Sequence, residues 1–60
     1  MKLRNFESMI ASHEREIVQT SAQAEALRKS GYPLSADALD RRVLALQKSL
    51  RSLKAERAQA

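Results

Sequence analysis

The sequence predicts an all-α fold: one antiparallel two-helix hairpin, coiled-coil-like, that completes a four-helix bundle by dimerisation or by docking on a partner. Three observations predict it. The only glycine and the only proline of the 60 residues sit together in Ser30-Gly31-Tyr32-Pro33-Leu34-Ser35. Apolar residues recur at alternating spacings of three and four on both sides of that hexapeptide. No stretch shows the period-two alternation of β-branched and aromatic residues that marks a strand.

The first helix is expected over residues 3–30. Leu3, Phe6, Ile10, His13, Ile17, Thr20, Ala24 and Leu27 form an unbroken a/d heptad stripe. The turn is expected over 31–35. Gly31 can end a helix in the left-handed conformation, and Pro33 pushes Tyr32 into an extended state. Ser35 is a suitable N-cap, with Asp37 in the first turn at the positive end of the helix dipole. The second helix is then expected over 36–58, where Leu39, Val43, Leu46, Leu50, Leu53 and Arg57 continue the pattern. So short a loop makes the helices antiparallel neighbours, and residues 1–60 form a single unit.

Charge gives a register. Folding the chain about a centre between Pro33 and Leu34 sets Arg28 against Asp40, Ser21 against Gln47 and Glu14 against Lys54. Two opposite-charge pairs and one neutral pair fit an intrachain hairpin. The stripe itself is uneven, with leucines on the second helix and His13, Thr20 and Ala24 on the first. Polar seam residues cost stability and fix register or oligomeric state.

Length limits what such a chain can do alone. A domain of this size buries about 60% of the surface of its unfolded form and usually needs a staple. There is no cysteine, so disulfides and thiolate zinc sites are excluded. The single His13 has no second histidine with which to share a metal, and no cofactor is expected. The staple expected by elimination is a protein surface, either a second copy in a homodimer or a larger partner. The residues expected to carry it are Phe6, Met9, Ile10, Ile17, Val18, Leu44, Leu46, Leu50 and Leu53.

No apolar run follows the N-terminal charges, and no stretch approaches the roughly 18 apolar residues of a membrane span. A soluble, cytoplasmic protein is expected. The net charge is +4, of which residues 31–60 contribute +3, from six basic and three acidic side chains. Arg41, Lys48 and Arg51 share the outer face of the second helix, flanked by Arg42 and Lys54. These five could contact phosphates, making nucleic acid a second candidate partner. The face has no aromatic residue on which bases could stack, and a solvated, solubilising role is the simpler expectation.

Catalysis is not expected. His13 is the one side chain with an ordinary pKa near neutrality, but no Ser, Asp or Glu is placed to complete a triad with it. It is expected instead to pack in the seam against Leu53. Tyr32 is expected to pack back over the end of its own hairpin.

The hairpin with two heptad-patterned helices resembles the Rop-type plasmid copy-number regulators. That resemblance covers architecture rather than motif. It implies a four-helix bundle built from two hairpins and, as the alternative function, RNA binding through the basic face of the second helix. Leu34-Ser35-Ala36-Asp37-Ala38-Leu39-Asp40 is similar to the Leu-Ser-Gln-x-Leu-Asp motif that opens the second helix of small aspartyl-phosphate phosphatases. It has one residue more between Ser35 and Leu39 and lacks the glutamine, so no functional residue carries over.

Overall fold

A computed structural model describes residues 5–59. They form two helices, α1 (Phe6–Lys29) and α2 (Pro33–Gln59), packed against each other as a hairpin. The rod measures 49 × 15 × 15 Å. Leu3 lies outside the described residues.

Helix α1 begins at a cap that the apolar spacing does not reveal. The Asn5 side-chain oxygen accepts a hydrogen bond from the Ser8 backbone N–H at 3.0 Å, and its carbonyl accepts from Met9 at 3.1 Å. The side chain thereby satisfies one of the orphan donors of the first turn. Glu7 in that turn, and Arg28 and Lys29 in the last, complement the helix dipole.

The connection is tighter than the sequence suggests. The Tyr32 N–H bonds back to the Leu27 carbonyl at 2.8 Å and the Gly31 N–H to the Arg28 carbonyl at 3.2 Å. This pair of bonds is a Schellman motif, with Gly31 at φ +91° supplying the left-handed residue. Helix α2 then starts at Pro33, three residues earlier than expected, and Ser35 is a helical residue rather than the N-cap. The reason is the missing N–H of proline. It bars Pro33 from a helix interior but suits the first helical position, where no intrahelical acceptor exists. Tyr32 serves both helices, since its carbonyl also accepts the first α2 bond, from Ala36 at 3.1 Å. The connector is therefore Ser30-Gly31-Tyr32, and its centre is Gly31, not the Pro33–Leu34 bond.

The seam follows the predicted stripe. On α1 the buried residues are Ile10, Thr20 and Ala24, with Phe6, Met9, His13, Ile17 and Leu27 half-buried. On α2 they are Ala36 and Leu53, with Leu39, Asp40, Val43, Leu46 and Leu50 half-buried. Arg57 closes the heptad stripe but is exposed. Ala24 and Ala36 are 1% and 0% exposed, and among the described residues no large side chain reaches that level. The two helices therefore share a thin core.

Candidate interaction site

Ion pairs mark how the helices face each other. On one side of the rod Glu14 pairs with Lys54 at 3.8 Å, and Arg28 pairs with Asp40 and, at 3.5 Å, with Asp37. On the other side Glu16 pairs with Arg42 at 3.2 Å. The two predicted charge pairs thus form, and the Glu16–Arg42 pair is additional. A further pair, Glu7–Arg57 at 3.0 Å, ties the open end. The hydrogen bond and charge of Asp40 act first on Arg28, those of Asp37 less, and desolvation opposes both. The net effect raises the Arg28 pKa above its ordinary value.

The two sides reach across the seam in opposite senses. Extended along the helices, the first alignment would set position 16 against 52, whereas the second sets it against 42. The register inferred from them is their midpoint, with 16 opposite 47. This register makes every core layer an a residue against a d residue: Ile10 with Leu53, Ile17 with Leu46, Thr20 with Val43, Ala24 with Leu39, Leu27 with Ala36. His13 falls level with Leu50 rather than Leu53. Its Nδ1 lies 2.9 Å from the Met9 carbonyl oxygen. A carbonyl only accepts, so Nδ1 carries the proton and the ring is pinned to its own helix.

The residues expected to form an interface divide into two groups. Ile10 and Leu53 are 5% and 7% exposed and are consumed by the hairpin's own core. Phe6, Met9, Ile17, Leu46 and Leu50 are half-buried along it. Val18 and Leu44 are 68% and 64% exposed and stand outside it. These two share one side of the rod. Val18 follows Glu14 by four residues and precedes Ser21 by three. Leu44 follows Asp40 by four and precedes Gln47 by three. Residues at those separations lie on one helix face, and Glu14 and Asp40 belong to the same ion-paired side. The register sets Val18 and Leu44 at nearly the same height, with Ser21 and Gln47 between them.

The basic residues divide as well. Arg42 and Lys54 are held in ion pairs on opposite sides of the rod. Arg41, Lys48 and Arg51 are exposed, and no ion pair involves them among the described residues. Three of the five predicted phosphate contacts therefore form a free stripe, and two do not join it. Tyr32 is 60% exposed at the tip. It does not pack back over the hairpin as expected. Leu34 beside it is 83% exposed.

No family model, no curated protein and no solved structure matches this chain. Among the described residues there is no pocket and no group of three or more His, Cys, Asp and Glu that could hold a metal. No described helix is long and apolar enough to cross a membrane.

Proposed function

We propose that the hairpin is a small non-enzymatic interaction module that acts by covering its open side with protein, either a second copy or a larger partner. One observation carries this reading. The chain exposes 4813 Å², whereas a compact monomer of its 6.7 kDa mass would expose about 3,900 Å². The excess, about 900 Å², is close to the roughly 800 Å² that each partner contributes to a standard interface. A radius of gyration of 14.3 Å, against the roughly 10 Å of a compact chain of this length, gives the cause: two helices make a rod, and one seam cannot cover it.

Thermal melting tests the reading. If apolar cover supplies stability, the melting temperature rises with protein concentration, or on adding the partner, and persists in salt. A melting temperature independent of concentration would eliminate the self-associating form. Partner docking would then require a captured protein whose binding is lost in Val18→Ser/Leu44→Ser.

A second reading is nucleic-acid binding through Arg41, Lys48 and Arg51. It is favoured by a run from Arg41 to Ala55 that contains five basic and no acidic residues. Binding of this kind weakens steeply with salt. Absence of fluorescence anisotropy change with mixed RNA and DNA at low salt would remove it.

A further inference from the structure

The geometry points to a specific two-fold dimer. Two copies of the hairpin meet through the side that carries Val18 and Leu44, with tips at opposite ends and each helix lying over its own counterpart. This assignment rests on the self-associating form of the proposed function and names its face and orientation.

Three features of that side converge. First, away from the tip, where Tyr32 and Leu34 are also exposed, it carries the large exposed apolar side chains, Val18 and Leu44, at nearly one height. Secondly, that height is the centre of the side. The Glu14–Lys54 pair lies one heptad towards the open end and the Arg28–Asp40 pair one heptad towards the tip, with uncharged Ser21 and Gln47 between. A two-fold axis through the centre, running across the rod, sets Val18 on Val18 and Leu44 on Leu44 of the second copy.

Thirdly, the charges complement each other under that operation. Taken at the midpoints of the ion pairs, the Glu14–Lys54 pair of one copy lies over the Arg28–Asp40 pair of the second, with Glu14 on the side of Arg28 and Lys54 on the side of Asp40. Arg51, which has no ion pair among the described residues, faces Asp37. Each contact occurs twice, as an isologous interface requires. The other two-fold arrangement has its axis along the rod and the tips together. It keeps Glu14 against Lys54 and Arg28 against Asp40 of the second copy, but it sets Glu25 against Asp37 where the first arrangement sets Arg51 against Asp37, and it leaves Arg51 over Ala11. Like charges disfavour that alternative.

The opposite side of the rod offers no comparable patch. Around Glu16–Arg42 it presents Ser12, Gln19, Gln23, Ala45 and Ser49, with no large apolar side chain in the same stretch. The exposed area again fits a second copy, since the excess over a compact monomer is about one partner's share of a standard interface.

The native chain has no cysteine, so single-cysteine variants report the arrangement directly. Under mild oxidation, most of Val18→Cys, and separately of Leu44→Cys, should convert to disulfide-linked dimer, while Ser12→Cys on the opposite side stays monomeric. A charge swap provides an independent reading. Arg51→Asp should shift the dimer towards monomer in sedimentation, and Arg51→Asp/Asp37→Arg should recover it, with helical circular dichroism retained in both.

Linkage only in a mixture of Val18→Cys and Leu44→Cys would overturn the orientation. A dimer that links through Ser12→Cys, or through none of these positions, would overturn the face while leaving self-association standing. A chain that stays monomeric at every concentration would overturn both.

Discussion

Gly31 is the residue on which the hairpin turns, and replacing it separates two effects that are usually mixed. Its φ of +91° is a conformation that an L side chain avoids, yet a Cβ built there meets nothing within 4 Å. Gly31→Ala therefore carries a backbone penalty and no clash. Left-handed backbone costs an L-residue about 1–2 kcal/mol. Loss of freedom in the unfolded chain returns about 0.4–1 kcal/mol. The net is about 1 kcal/mol of destabilisation, which lowers the melting temperature of a chain this size by about 4–8 °C.

D-alanine at the same position has the mirror preference. It keeps the unfolded-state gain and avoids the penalty, so it should raise the melting temperature above that of the parent. Both peptides are within reach of chemical synthesis, and circular dichroism at matched concentration reads the comparison. Equal effects of L- and D-alanine would refute the reasoning, because they would show that the left-handed Schellman turn does not govern the connection.

Other predictions follow from particular residues. Asn5→Ala removes the α1 cap and should cost about 1 kcal/mol in urea unfolding. Leu53→Ala empties the largest buried position of α2; large-to-small core changes cost about 2–5 kcal/mol, enough to unfold so thin a core, and far-ultraviolet circular dichroism should show loss of helix. The Arg28 interaction has a defined pH sign. Its folded pKa is raised, so on the arginine side its stabilisation is complete below the unfolded value and is lost as pH rises through the folded one, in strong alkali. The melting difference between the parent and Arg28→Gln should therefore be flat between about pH 6 and pH 10, well below the ordinary arginine range; a slope in that difference would contradict the assignment.

The seam was legible because its signal is repeated. Ile10, Ile17, Leu27, Leu46 and Leu53 each confirm the same heptad phase, and burial tracks that phase along both helices. The helix ends were less so. Pro33 carries two opposite meanings, stop and start, and they differ only in whether its missing N–H would have had an acceptor. Asn5 was hidden because an apolar stripe beginning at Leu3 runs through it.

The Arg28–Asp40 and Glu14–Lys54 pairs could be found by folding the chain straight back. Glu16–Arg42 could not, since side chains on the two sides of the seam reach across in opposite senses. An N-cap search at Asn5-Phe6-Glu7-Ser8, and a test of both flanks of the heptad, would have recovered these features. The exposed pair Val18 and Leu44 was visible as apolar positions off the stripe. Their common height was not, because it depends on a register that the turn fixes.

In the proposed assembly the hairpin closes one stripe internally and covers another by association through Val18 and Leu44. Sedimentation equilibrium of the parent and of Val18→Ser/Leu44→Ser tests it most directly. The parent should rise from 6.7 kDa to twice that mass with concentration, while the double variant stays at the lower mass with its helical signal intact. A parent that remains monomeric throughout, or a double variant that dimerises as well as the parent, would contradict it.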